Sequence, residues 1–591
     1  MLKLRYIAFS LIIVFCLDCR TDSQKSQPNI ILVMTDDQGW GDISSHGNTQ
    51  IDTPIMDQLA EDGARFDRFF VSPVCAPTRA SLLTGRDHLR TGTQWVTYGL
   101  ENMRAVEVTF AEVFSKAGYK TGLFGKWHNG SHFPMDPKGQ GFDTFFGFKM
   151  GHYNNYFDTQ LEYNGEMVQT EGFITDVLTD SALAFIERNK ETPFLAYVPY
   201  NAPHSPFQVP DKYFDKYKKQ GLSDKNAAVY GMVENVDFNL GRILDKVDEL
   251  GIAENTIIIF LTDNGPNGGD RFNGNMKGWK AKVDEGGVRV PLFIKWKNHI
   301  EPNTKVQELT AHIDILPTLA DLAGIKNYET KPLDGKSFAS LLFDKATNWN
   351  DRYLFTHQSR WDSLEQFPAS VRNNRYRAVR DVKKWELYDM QADPSQRENI
   401  ADENPELVEE MSTAYETWFA EVTENLERKR LIPVGFAANP VVQLPVTESH
   451  FDGNIAFFGK SGWSNDWLTN WTSTSDRVWW ALDVQNAGSY EVILKYTLED
   501  GNEGVKLDIE TDSDTVTSTI SEVHDPKIVK SPDRVERGEV YEKNWAEHSA
   551  GIIELEKGIQ NISIKAVDIP GEKSIDLKTV ILQRKQGALN E

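Results

Sequence analysis

The stretch Cys75-Ala-Pro77-Thr-Arg79-Ala-Ser-Leu-Leu-Thr-Gly85 places a thiol and a guanidinium together at the head of a short apolar run. The run predicts a helix beginning near Thr78. Cys75 would then stand just ahead of free backbone N–H groups and the positive end of the helix dipole, which favours a bound anion. A lone cysteine is more often a small buried hydrophobe, so the thiol needs companions before it implies chemistry. Two acidic pairs are candidates. Asp36-Asp37 and Asp263-Asn264 close the β-rich apolar runs "NIILVMTDDQG" and "NTIIIFLTDNGP". A single Asp after a strand usually serves as a cap or turn residue. Two such pairs offer a set of oxygen ligands that suits a hard cation, Ca²⁺ or alternatively Mg²⁺, and argues against zinc or copper.

The elements that must position these groups follow from the pattern around them. From Pro28 to about residue 330, near-continuous apolar runs alternate with helical stretches such as "TFAEVFSKAG" and "LTDSALAFIERNK", which implies an α/β fold with a sheet covered on both faces. In such sheets ligands bind beyond the carboxyl ends of the strands, where both acidic pairs fall. Residues 331–430 predict a smaller α+β subdomain of short antiparallel strands and a helix opening at Asn404-Pro405. After "LIPVGFAANPVVQLP", short alternating runs such as "RVWWALDV" and "QNISIKAVDI" predict an appended β-sandwich over 440–591. It carries Trp463, Trp467, Trp471, Trp479 and Trp480 in one window. About half of these are expected in the core, and the rest could form a platform for sugar rings.

The N-terminus reads as an export signal over residues 1–19. It has a basic start, then "YIAFSLIIVFCL", an apolar middle too short to span a bilayer stably. A cysteine directly after such a segment resembles a bacterial lipoprotein signal, with Cys19 the expected lipidated residue and Cys16 the alternative. The chain would then be exported to the periplasm or cell surface, with a possible outer-membrane lipid anchor. Only three cysteines are present, Cys16, Cys19 and Cys75, so lipidation of Cys19 would leave no intramolecular disulfide for Cys75. The 63 basic and 87 acidic residues give a net charge of −24, which argues against a nucleic-acid partner. An anionic substrate must therefore meet a local basic site.

Five motifs in order carry a resemblance to the formylglycine-dependent sulfatases of the alkaline phosphatase superfamily. They are the Cys75 segment, Gly118-Tyr-Lys-Thr-Gly-Leu-Phe-Gly-Lys126-Trp-His128, Asn201-Ala-Pro-His204, Thr262-Asp263-Asn264-Gly265, and Lys280-Ala-Lys-Val-Asp-Glu285-Gly-Gly-Val-Arg-Val-Pro291. The similarity runs from about Asn29 to Ala401 and does not obviously reach the last β domain. It implies a sulfatase-like mixed sheet flanked by helices over 28–330. It also implies that a maturation enzyme converts Cys75 to formylglycine, whose hydrate attacks sulfur with one hydroxyl and expels sulfate with the other. By the same resemblance Asp36, Asp37, Asp263, Asn264 and the converted Cys75 would hold the cation. Arg79 and Lys126 would hold the hydrate and its oxyanion, and His128 would take the proton when the hemiacetal collapses. Lys280 and His204 would grip sulfate, with His204 the expected acid for the leaving alcohol. Lys277 and Lys282 lie close by, and Lys280 is preferred by its place before Glu285.

The expected function is hydrolysis of sulfate esters on a sulfated polysaccharide or its oligosaccharides. A phosphonate or phosphate monoester hydrolase of the same superfamily is the alternative enzyme, and a catalytically dead glycan-binding surface protein the alternative from another class. His152, Asp270, Arg271, His357 and Arg360 are the candidates for sugar contact.

Overall fold

The computed structural model describes residues 27–343, 349–359, 363–381, 383–426 and 430–585. Cys16, Cys19 and Arg360 lie outside them. Among the described residues, no helix is long and apolar enough to cross a membrane.

The apolar runs build a ten-stranded sheet. In spatial order its strands are Thr304–Val306, Ala64–Phe66, Leu292–Trp296, Thr256–Thr262, Asn29–Thr35, Phe194–Pro199, Lys120–Lys126, Thr144–Phe148, Gln160–Tyr163 and Glu166–Gln169. Asn29–Thr35 pairs in parallel with Phe194–Pro199 and with Thr256–Thr262, and Lys120–Lys126 continues the parallel block. Leu292–Trp296 and Gln160–Tyr163 pair antiparallel with their inner neighbours. The sheet is therefore mixed, as the α/β expectation requires. Every residue of Asn29–Thr35, Phe194–Pro199 and Thr256–Thr262 is buried, because helices cover both faces. One core layer packs Ile31 and Val33 against Leu178, Val233 and Leu240, and the other packs Ile30 and Leu32 against Leu82, Phe110 and Leu316.

A four-stranded antiparallel sheet, Leu354–His357, Ala369–Arg372, Tyr376–Arg380 and Glu386–Asp389, follows. The helix Pro405–Thr423 packs Met411, Tyr415 and Trp418 onto it. The C-terminal β unit is two six-stranded sheets enclosing Trp471, Trp480, Tyr490 and Ile564. Its burial alternates residue by residue in Arg477–Val484, as a strand with one face inward requires.

Two details differ from the sequence reading. The β unit begins before residue 440, because Leu431–Val434 already pairs in parallel with Ala481–Val484. Pro433 disguises that strand, and it is tolerated because the strand lies at the sheet edge. The helix expected to start near Thr78 spans Cys75–Thr84. Pro77 falls within its first turn, where a missing N–H costs nothing, and the first helical bond runs from Thr78 N to Val74 O at 3.3 Å.

Candidate active site

Four neighbouring parallel strands deliver the polar groups. Thr35 is in register with Thr262, so Asp36-Asp37 and Asp263-Asn264 leave the same sheet edge side by side. Lys120–Lys126 ends on Lys126 and leads into His128, and Phe194–Pro199 leads through Asn201 to His204. Cys75 enters from above as the first residue of its helix, with Val74 as the extended N-cap. Its Sγ and one carboxylate oxygen each from Asp36 and Asp263 lie within 4.8 Å of one another.

Charge pairing fixes these groups in a dry interior. Arg79 is fully buried and reaches Asp263 at 2.9 Å and Asp36 at 3.6 Å, while its other nitrogen donates to Lys126 O at 2.9 Å. Lys126 Nζ lies 2.5 Å from Asp36. Lys280 Nζ lies 2.6 Å from Asp37 Oδ1, which also accepts from Asn264 Nδ2 at 2.8 Å. Asp37 N donates to Asp263 Oδ1 at 3.1 Å. Asp37, His128 and Ala281 all have φ between 63° and 66°. Left-handed backbone at non-glycine residues costs roughly 1–3 kcal/mol each and concentrates at functional sites.

Burial alone would raise the Asp36 carboxyl, but Lys126, His204 and Arg79 hold it well below the usual carboxylate range. Burial and the neighbouring Asp36 charge push Asp263 up to about 7 against the pull of Arg79. Burial raises the Cys75 thiol although Lys126 and Lys280 oppose it, so an unmodified Cys75 stays a protonated thiol and a poor nucleophile. Burial and then Lys126 hold His128 well below the ordinary imidazole value. Its Nε2 lies 2.9 Å from Val96 O and must donate there, which leaves Nδ1 as a buried base with no partner. Gly151 makes room for this ring, since a Cβ there would come within 2.1 Å of Nε2. His204 Nδ1 donates to Ser205 O at 2.6 Å and turns Nε2 toward Asp37 Oδ2 at 3.7 Å.

Three buried oxygens of the two acidic pairs accept no hydrogen bond: Asp36 Oδ1, Asp37 Oδ2 and Asn264 Oδ1. Unpaired buried oxygens on the two acidic pairs, with Asp263 adjoining, fit a divalent hard cation.

A cavity of about 340 Å³ opens onto this floor through Cys75, His128, His204 and Lys280. Trp95, Trp279 and Trp463 wall it, and Glu539 and Ser464 of the β unit complete it. Sequence reasoning missed Glu539, Ser464, Trp95 and Trp279. None carries a motif, and Glu539 sits in the charged stretch "DRVERGEV", which reads as solvated surface.

The remaining expected contacts sort plainly. His152 lines the cavity. Arg271 is buried in a bidentate pair with Asp42 and donates to Asp37 O at 3.1 Å, so it supports the floor. Asp270 is exposed beside Lys225. His357 is buried elsewhere, stacked on His88 with its Nε2 donating to Glu365 O. Trp467, Trp471 and Trp480 are buried, Trp479 packs between His450 and Arg477, and only Trp463 of the five reaches the cavity.

The family model for sulfatases matches residues 28–325, and the model described as N-sulphoglucosamine sulphohydrolase, C-terminal, matches 277–421. The chain is 30% identical to the uncharacterized sulfatase YdeN of Escherichia coli (strain K12), across 66% of this chain and 85% of that one. It is 28% identical to an N-acetylgalactosamine-6-O-sulfatase of Bacteroides thetaiotaomicron, across 67% and 94%. The crystal structure of Ps i-CgsB in complex with k-i-k-neocarrahexaose is similar with a TM-score of 0.61 and 30% identity, across 66% of this chain and 93% of that one.

Proposed function

The chain belongs to the sulfatase family and is a sulfuric ester hydrolase, and from that premise we propose that it removes sulfate from a sulfated polysaccharide or its oligosaccharides by way of a formylglycine made from Cys75. The observation that carries this reading is the meeting of Cys75 Sγ with the carboxylates of Asp36 and Asp263 at the mouth of a helix N-terminus. A glycan as leaving group is supported by the three tryptophans of the cavity wall, and by the glycan-directed relatives among the similar proteins.

Asp36, Asp37, Asp263 and Asn264 would hold a hard divalent cation, Ca²⁺ or Mg²⁺, which supplies positive charge against sulfate oxygens and acidifies the nucleophile. Hydrated formylglycine supplies a hydroxyl for attack on sulfur and a second whose deprotonation releases sulfate. The chain's own groups do the rest. Arg79, pinned by Asp263 and Asp36, and Lys126, pinned by Asp36, keep the nucleophile's oxygens in place. His128 Nδ1, unpartnered and neutral, accepts the proton of the second hydroxyl. Lys280 binds sulfate, and His204, its ring oriented by the Ser205 carbonyl, gives a proton to the departing alcohol. Export as a lipoprotein anchored through Cys19, or Cys16, would bring this chemistry to polymers outside the cytoplasm.

The test is a mass measurement on the Cys75 peptide of protein from its native host, paired with turnover of nitrophenyl sulfate and nitrophenyl phosphonate esters. Formylglycine together with preference for the sulfate ester is the expected result. A free thiol with full activity, or preference for the phosphonate, overturns the reading.

A further inference from the structure

Beyond the sulfate-binding floor, the cavity must house whatever the sulfate is attached to. Its wall there combines Trp95, Trp279 and Trp463 with the neutral polar side chains of Thr97, Asn267 and Ser464 and with one carboxylate, Glu539. Among the described lining residues the only lysine is Lys280, already engaged with Asp37 in the floor, and there is no arginine. The leaving-group space therefore presents one carboxylate and, Lys280 and the histidines apart, no basic side chain among its described lining residues.

Glu539 is held in that wall. It lies in the long segment joining the strands Thr515–Ile520 and Ala546–Leu555 of the β unit, outside the segments matched by the family models, which end at residue 421. This segment is clasped to the catalytic unit. Arg534 N donates to Phe207 O at 2.9 Å, Arg537 Nη1 donates to Asn154 O at 2.9 Å, and Gln208 Nε2 donates to Ser531 Oγ and Asp533 Oδ1 at 2.8 Å. Arg537 is itself buried and paired with Asp533 at 2.6 Å. Ser205 Oγ donates to Glu539 Oε1 at 2.5 Å. A nitrogen of His152, one of His204 and an oxygen of Glu539 lie within 4.8 Å of one another, and neither ring nitrogen of the buried His152 has a partner. The Glu539 carboxylate, with Thr97, Asn267 and Ser464 of the same lining, offers polar partners to a ligand rich in hydroxyls.

Resting on the glycan sulfatase reading above, we propose that Glu539 is a specificity-determining residue. Its carboxylate accepts a hydroxyl of the sugar that bears the scissile sulfate, and it rejects a sugar carrying a second sulfate or a carboxylate at that position. Carboxylates pair well with neutral hydroxyls. A second anion ~5 Å away at an effective dielectric of ~20 is disfavoured on the order of a hundredfold. The substrate class is thus a monosulfated, otherwise neutral sugar unit. Specificity of this kind arises from a repulsive element as much as from an attractive one.

The experiment uses the full chain with Cys75 conversion verified by mass, and compares kcat/KM on nitrophenyl sulfate with matched mono- and disulfated galactose, fucose and N-acetylhexosamine units. Wild type is expected to prefer the monosulfated form of its best sugar by about a hundredfold. Glu539→Gln, which keeps an acceptor for Ser205, should cut that preference at least tenfold, read as the ratio of kcat/KM on the two saccharide forms within the variant, which a general loss of activity leaves unmoved. Glu539→Ala should in addition raise KM on the monosulfated sugar. Equal use of both sugar forms by wild type, or an unchanged preference in Glu539→Gln, overturns the proposal. So does turnover of the nitrophenyl ester with none of the saccharides. Failure of converted wild type on nitrophenyl sulfate itself would instead overturn the sulfatase mechanism.

Discussion

The floor of the cavity is built from the ends of four strands in one sheet, while its far wall is brought in by a loop of a different unit. In the floor, hydrogen-bonded register sets the spacing, and Arg79, Lys126, Asp36 and Asp263 are locked to one another in a space closed to water. In the wall, the side chains Trp463 and Glu539 are partly exposed and depend on a handful of cross-unit hydrogen bonds. Chemistry that must work on any ester is thus placed where nothing can shift. Contact with the variable part of the substrate is placed where the chain can change without disturbing the sheet.

Substitutions in the two places should separate cleanly. Cys75→Ala should abolish turnover on every ester, by about 10⁴-fold or more, with the unfolding free energy from urea titration changed by no more than ~1 kcal/mol. Substantial residual activity in this variant would break the assignment of the floor.

Acid offers a second separation. Burial holds His88 at about 4 and His312 and His357 at about 3. These folded-state values lie below the ordinary 6.5, so protons bind the unfolded chain preferentially. The stability these residues confer is complete above pH 6.5 and is lost as pH falls toward 4 and 3. From pH 7 to pH 5 each should cost about 2 kcal/mol, read as a falling urea midpoint. For Glu539 burial opposes ionisation, yet His152, His204 and Ser205 bring its carboxyl down to about 2. Its contribution is complete above the unfolded value of 4.5 and is lost only below that. Glu539's own charge therefore withstands mild acid, while the buried histidines, including His152 beside it, held at about 3 by burial, lose their contribution first. A midpoint unchanged between pH 7 and 5 would contradict this order.

The smallest effect belongs to the wall. Trp463 is 40% exposed, and Trp463→Ala should raise KM for a saccharide substrate about fivefold through lost ring stacking, worth roughly 1 kcal/mol, with kcat unchanged. A comparable fall in kcat would place Trp463 among the groups that govern the chemical step and blur the division between floor and wall.

Sequence reasoning reached the acidic part of the floor because those residues are announced locally, and its basic and histidine groups through the family resemblance. An apolar run that ends in two acids fixes both a strand and what emerges from it, so Asp36 and Asp263 could be placed before their register was known. The same reasoning placed the start of the Cys75 helix near Thr78, three residues late, because Pro77 sits in the first turn, where its missing N–H leaves the helix intact. It missed the edge strand Leu431–Val434 for a related reason, since Pro433 masks a strand that needs few ladder bonds. Glu539 was out of reach on different grounds. A carboxylate in a charged loop has the same neighbours in sequence whether it faces water or a cavity, and only the fold of the intervening chain decides between them. Arg271 and His357, named as candidates for sugar contact, show the converse case of polar residues that serve buried pairings instead.

The burial of Cys75 also bears on timing. All ten residues of its helix are buried, and the acids that enclose it include Asp263, which leaves the ribosome much later than Cys75. At ~5–20 residues per second, synthesis of the intervening chain takes on the order of ten to forty seconds. On the proposed conversion, that interval is the maturation enzyme's opportunity to find an extended Cys75 segment. A chain that completes its sheet with the thiol intact would hold it out of reach, so the active fraction of a preparation would record a race run once per molecule during its birth.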